Sequence, residues 1–264
     1  NLGTIQGSKF ATANDASPVN YLALSYGISV TATKNKCGGI AGTNSGNLIK
    51  CYAVWTTIRT QGGGSCSGVC GYNTGTLTDC MYRASKVRAM SADGTTYYDA
   101  VGGLCGTLEG GTIDLSEATS HNGHGSVFEG KGGVGGLVGQ MIGGTLKGKN
   151  SRSYVVDASS DQTLKITAHG AGCSMAVGHC LTTPGSIQNV TVGANAGHAV
   201  KNILSTDENS IGGIVIAQEL FNIINQVFNI FNSYRKSYKI RRNSAGNKLV
   251  ICQIFIICHI NSVS

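Results

Sequence analysis

Short apolar runs bounded by glycine recur along the first four-fifths of the chain. Residues 38–53 read GGIAGTNSGNLIKCYA, and residues 67–82 read SGVCGYNTGTLTDCMY. Shorter copies follow at 102–113, GGLCGTLEGGTI, and at 135–146, GGLVGQMIGGTL. A worn copy, SMAVGHCLTTPGSIQNV, occupies 174–190, and a sixth opens at Ile211 as IGGIV and then fails. An apolar run of this length between glycines predicts a buried strand ended by tight turns. Asn44-Ser45-Gly46 and Asn73-Thr74-Gly75 read as turns, since Asn and Gly accept positive φ. Residues 47–54 and 76–81 then read as second strands that largely alternate apolar with polar.

The copies start about 29, 35 and 33 residues apart and then nearly 40. That spacing predicts a constant strand pair joined by loops of variable length. One unit cannot cover its own apolar face, but a stack of units can. The expected fold is therefore all-β, a parallel β-solenoid built from glycine-rich repeats over residues 1–213. Small residues at the Gly-Gly positions would let successive backbones approach closely. A propeller is the alternative, but its blades run to about 40–50 residues with an aromatic signature, and Trp55 is the single tryptophan here.

Composition sharpens this reading. Gly is 39 of 264 residues, about twice the usual share and not in a collagen triplet. Charged residues are 12% and aromatics 6%, which suits thin layers of stacked strands better than a thick globular core. The net charge of +7 is concentrated near the end, where Arg235, Lys236, Lys239, Arg241, Arg242 and Lys248 face one acid, Glu219. The remainder is close to balanced and carries no electrostatic footprint for nucleic acid. The chain opens on Asn1 with no basic and apolar leader, which reads as a start inside a longer protein.

From about Ile214 the vocabulary changes to Ile, Asn, Lys, Phe and Tyr, and Gly246 is the one glycine left. Residues 217–233 have the spacing of an amphipathic helix. The stretch Leu249–Ile260 is too short to span a bilayer as a helix. This tail, 214–264, reads as a cap on the last coil, as a membrane-proximal anchor, or as an extension out of frame with the repeat.

At residues 38–53 the sequence closely resembles the GLUG-motif family, whose motif runs roughly GGLVGxNxGxIxNCYA. The 67–82 copy matches it well, 102–113 and 135–146 keep its first part, and the likeness covers about residues 30–213. The resemblance implies a large bacterial-type surface or secreted protein, adhesin-like or a non-catalytic region of an immunoglobulin A peptidase. It transfers no catalytic residue. The cysteine density and the tail both depart from the family pattern.

Ten cysteines in a weakly charged chain favour an oxidising compartment. Aligning the copies sets Cys37 against Cys66, Cys51 against Cys80 and Cys70 against Cys105. Equivalent residues of a parallel stack lie about 4.8 Å apart, within reach of a disulfide although its dihedral is demanding. These pairs read as a ladder of buried thiols or as disulfide rungs. Cys66-x-x-x-Cys70 has zinc-like spacing but lacks a second pair. Cys173 and Cys180 with His169 and His179 form a metal candidate by composition only. His121 and His124 sit in a Gly-rich stretch between copies, where an ordinary surface loop competes with a metal or pH-sensing role. Tyr97, Tyr98, Asp99 and Phe128 lie between copies and are candidate loop contacts to a partner.

Motifs of catalysis are missing. There is no HExxH, no Gly-x-Ser-x-Gly elbow and no Walker A loop. GKGGVGGLVG at 130–139 lacks the strand–helix context of a dinucleotide loop. The sequence thus points to a non-catalytic structural or adhesive module, with no cofactor, that presents loops to an extracellular protein or glycan. Membrane contact would come only through the tail. A passive spacer of a larger secreted hydrolase is one alternative. The other is a flat face for polysaccharide or ice, which would need a Thr ladder. Thr76, Thr112 and Thr145 share one repeat position, with Asn47 in the first copy.

Overall fold

The computed structural model describes residues 1–7, 24–115, 125–148, 154–156, 164–181, 185–192, 203–205, 211–212 and 215–217. The chain divides into two units, Asn1–Phe221 and Asn222–Ser264. The second lies wholly outside the described residues, as does nearly all of the helical stretch expected at 217–233.

The first unit is all-β, and its strands are short and pair in parallel with the equivalent strand one coil away. It is a parallel β-solenoid. A full coil carries five strands. In the second coil these are Cys66–Ser67, Cys70–Asn73, Thr76–Thr78, Met81–Arg83 and Lys86–Ala89. Stacking generates five sheets, numbered here first to fifth in that order. The first, second, third and fifth sheets each hold six strands. The fourth holds three strands, at Leu24–Tyr26, Tyr52–Val54 and Met81–Arg83, and a separate two-stranded sheet pairs Tyr154–Val156 with Thr191–Val192.

Inward positions form vertical rows. Leu48, Leu77, Ile113 and Leu146 stack through the third sheet, and Ile58, Val87, Phe128 and Ile166 through the fifth, all fully buried. Each such side chain contributes about 1.5–3 kcal/mol by leaving water. Repetition is what makes this possible, because a single coil would expose both edges of every row.

The expected strand pair per repeat is corrected to five strands. What reads as one second strand, 47–54, is broken into Asn47–Ile49 and Tyr52–Val54 by a left-handed residue, Lys50 at φ 52°. Asp79 at φ 50° does the same one coil on. Left-handed corners recur at matching places. Lys36, Ser65, Ala100, Gly133 and Gly172 precede the first-sheet strands, and Gly27, Trp55, Ala84 and Gly125 precede the fifth-sheet strands by two residues.

The chain bends at 44–46 and 73–75 as the sequence predicts, but the role of Asn44 and Asn73 in the bend is corrected. Neither has positive φ. Both are fully buried at the inside of the bend between the second and third sheets. The Gly-Gly positions are explained by close approach, as expected: a Cβ on Gly38 would stand 2.6 Å from the Val69 carbonyl oxygen. The last glycine of the GGxxG motif is selected in the same way. A Cβ on Gly71 would stand 2.6 Å from the Cys37 amide nitrogen, and one on Gly106 2.5 Å from the Ser65 carbonyl carbon.

The failing sixth copy still adds strands Ile211–Gly212 and Val215–Ala217 to the first and second sheets. The register slips between Val177 and Cys180 in that last pairing, unlike the regular pairs before it. Ile216, standing where the motif calls for glycine, is the middle residue of the slipped strand.

Candidate functional site

Between the fifth sheet of the second coil and the first sheet of the third, the chain leaves the stack as a hairpin. Met90 and Tyr97 form an antiparallel bridge, and the Ser91 amide donates to the Thr96 carbonyl at 2.7 Å. The tip is built by Asp93, whose Oδ1 accepts from Ser91 Oγ at 2.5 Å, from the Thr95 amide at 3.1 Å and from Thr95 Oγ1 at 2.9 Å. These bonds hold its carboxyl below the usual carboxylate range, the Ser91 bond most of all. Gly94 takes the left-handed place of the turn, φ 75°.

Three outward residues of the fifth sheet underlie this hairpin, Arg59 by bonding it directly and Arg88 and Glu129 by holding the His169 ring that it stacks on. Arg59, Arg88 and Glu129 lie in register on successive coils. The Arg59 guanidinium donates to the carbonyls of Ser91 and of Ala92, the latter at 3.2 Å. Arg88 Nε lies 3.0 Å from Glu129 Oε2, and His169 Nε2 lies 3.0 Å from Glu129 Oε1. The Tyr97 ring stacks on the His169 ring, centroids 3.7 Å apart and 14° from parallel. Partial burial raises the Glu129 carboxyl, but the His169 hydrogen bond and the charges of Arg88 and His169 outweigh it and leave it lowered. Tyr97, a candidate from sequence, is therefore part of a polar–aromatic clamp.

The other loop candidates fall differently. Tyr98 packs against the core, and its hydroxyl donates to the Gln61 carbonyl at 3.4 Å. Asp99 is exposed, and its carbonyl accepts from the Ser65 amide at 3.3 Å. Phe128 is corrected outright. It lies in strand Val127–Gly130, fully buried between Val87 and Ile166, with its ring edge-on to Tyr82 at 5.3 Å. His121 and His124 lie outside the described residues.

The cysteine register is as the alignment has it. Cys37 pairs with Cys66 on the first sheet and Cys70 with Cys105 on the second, while Cys51 and Cys80 each precede a paired fourth-sheet strand. None of the eight cysteines among the described residues is joined in a disulfide. Burial pushes Cys66, Cys80 and Cys105 well above the ordinary thiol range. Hydrogen bonds from Cys66 and Cys80 lower Cys37 and Cys51 respectively. Cys173 is buried on the first sheet, His179 stands on the second in register with Gln140, and His169 serves the clamp. Among the described residues no group of three or more His, Cys, Asp or Glu is placed to hold a metal.

The third sheet presents a regular outer row. Thr4, Asn47, Thr76, Thr112, Thr145 and Ser186 are in register through six coils. Two residues further along the strands, the row reads Gln6, Ile49, Thr78, Asp114, Lys147 and Gln188, with Lys147 Nζ 3.5 Å from Asp114 Oδ2.

One pair was passed over in the sequence except as a missing propeller signature. Trp55 and Tyr26 are exposed, their rings 5.1 Å apart on neighbouring coils. Comparison with protein-family models, with curated proteins and with solved structures finds no match to this chain.

Proposed function

We propose that this chain is a non-catalytic repeat module of a secreted or cell-surface protein, and that its stack holds the 90–97 hairpin out to an extracellular protein or glycan. The observation that carries this reading is the clamp. Arg59 bonds the surface hairpin directly, Arg88 and Glu129 on the next two coils hold His169, and the hairpin's Tyr97 stacks on that ring, while Asp93 closes the turn. A preformed loop loses little freedom when it binds, so rigidity of this kind favours recognition. The GLUG-like repeat supports an extracellular placement.

The test is binding of the folded, full-length chain to arrays of glycans and of extracellular-matrix proteins. The expected result is selective, saturable binding that falls at least tenfold on Thr95→Ala with Tyr97→Ala. A folded, β-rich protein that binds nothing would overturn the adhesive reading in favour of a passive spacer within a larger secreted hydrolase.

A second reading, recognition of an extended polysaccharide along the third sheet, is favoured by its six-rung hydroxyl and amide row. Ice fits that face less well, because an ion pair interrupts the second row. Thr112→Lys with Thr145→Lys would abolish polysaccharide binding there and leave hairpin-dependent binding in place.

A further inference from the structure

Trp55 occupies a place where tryptophan is the costly choice. The corner ahead of the fifth sheet is left-handed in four coils, at Gly27 (φ 62°), Trp55 (φ 52°), Ala84 (φ 49°) and Gly125 (φ 65°). Left-handed backbone costs a residue with a Cβ about 1–2 kcal/mol. Gly27, Ala84 and Gly125 show that the corner asks for nothing larger. The indole does not fill the core either. Trp55 is 57% exposed, while the next residue, Thr56, turns inward and donates to Ser85 Oγ at 2.9 Å. Backbone pairing needs no indole, since the Trp55 amide simply donates to the Arg83 carbonyl at 3.0 Å. A strained, exposed, large aromatic residue outside the core clusters is an outlier that points to function.

Its surroundings suit a particular ligand. Trp55 leans at 50° against Tyr26 of the preceding coil, itself 37% exposed. One coil onward the matching corner residue is Ala84, so no large side chain stands at that position. On the strands that leave this corner, Ser29, Thr57 and Lys86 are in register and exposed. An exposed indole face, braced by a tilted tyrosine ring and bordered by hydroxyl and ammonium groups in register on the adjoining strands, is a surface that a pyranose ring fits. Its C–H face can lie on the indole while its hydroxyls bond to Ser29, Thr57 and Lys86.

We infer that Trp55 and Tyr26 form a binding platform for a pyranose unit of a glycan, flanked by Ser29, Thr57 and Lys86. The platform is distinct from the hairpin, so either can fail without the other.

Trp55 is the one tryptophan of the chain, so its fluorescence reports this site alone. The full-length chain is titrated with cellohexaose and, separately, chitohexaose, with acrylamide quenching as a measure of ring access. The expected result is a saturable change in emission with at least one sugar, together with protection from acrylamide. Calorimetry then shows at least tenfold weaker binding in Trp55→Ala, which Ala84 indicates the corner tolerates, and in Tyr26→Ala, which keeps the fluorophore. Trp55→Phe retains part of the affinity. The inference is overturned if acrylamide quenches Trp55 freely while both sugars leave its emission unmoved. It is equally overturned if sugar binding is unchanged in Tyr26→Ala and Trp55→Phe. Replacing Thr95 and Tyr97 leaves this titration unaffected, which separates it from the hairpin reading.

Discussion

Asn44 Nδ2 donates to Asn73 Oδ1 across 2.7 Å, from one coil to the next, with both side chains fully buried. Asn1 Nδ2 extends the ladder by donating to Asn44 Oδ1 at 2.9 Å. Each buried amide also caps its own bend, Asn44 to the Gly46 carbonyl at 3.1 Å and Asn73 to the Gly75 carbonyl at 3.0 Å. Removing one rung strands the polar atoms of its neighbour. Asn73→Ala is expected to cost about 1–3 kcal/mol, read as a lower denaturant midpoint with an unchanged slope. Asn73→Asp costs more at neutral pH than at pH 4, since a fully buried position must then hold a carboxylate charge.

The motif glycines make a sharper case, because space and backbone conformation can be separated. Gly106→Ala would drive its methyl to within 2.5 Å of the Ser65 backbone, and neither chain can yield without shifting a coil. The expected loss is about 1–3 kcal/mol. Gly110→Ala meets nothing within 4 Å but sits at φ 71°, so it is expected to cost about 1 kcal/mol through strain alone. Gly3→Ala meets nothing and is expected to be neutral. Thermal midpoints of the three variants should fall in that order, and equal effects would show that the close approach is not what selects glycine.

The repeat itself was legible because GGxxG reports close backbone contact, and contact recurs wherever a coil recurs. Cysteine register followed for the same reason: residues at equal offsets in two copies become neighbours when the copies stack. The fourth and fifth strands are not legible, because in the two best-matching copies the corners that create them fall on Lys50, Trp55, Asp79 and Ala84 and not on glycine. The solenoid imposes left-handed backbone there and overrides the local preference. Phe128 was misplaced because the stretch ahead of it, 116–124, interrupts the spacing and hides the alignment of Val127–Gly130 with Lys86–Ala89. Trp55 was overlooked because nothing in a linear pattern distinguishes a corner residue that faces out from one that packs in.

The clamp predicts a pH dependence with a defined sign. The Glu129 carboxyl is lowered in the folded protein, so its contribution is present above its unfolded pKa of about 4.5 and is lost as pH falls through the lower folded value. The group is partly open to solvent, so the contribution is about 1 kcal/mol or less. Melting curves from pH 7 down to pH 3 should show the wild type losing this increment below about pH 4.5, while Glu129→Gln lacks it throughout. If Glu129→Gln follows the same pH course as wild type, the acid sensitivity belongs to other carboxylates.

Thiol chemistry follows from burial and register together. Cys66, Cys80 and Cys105 are fully buried and their ionisation is opposed by burial, so the reactive thiolate is scarce and out of reach. Iodoacetamide at pH 8 is expected to leave all three unmodified in the native protein and to label them after guanidinium unfolding, as read by peptide mass. The same rows say what can replace them. Val101 stands next to Cys66 and Val138 next to Cys105, on the same inward positions. Cys66→Val and Cys105→Val each add about one methyl group but enter rows that already hold valine, and are expected to cost about 1 kcal/mol, the low end for overpacking. Cys66→Ser buries a hydroxyl in their place and is expected to cost more. A larger loss from valine than from serine would show that the Cys66 thiol acts through its hydrogen bond to Cys37, which a hydroxyl can replace, and not through packing.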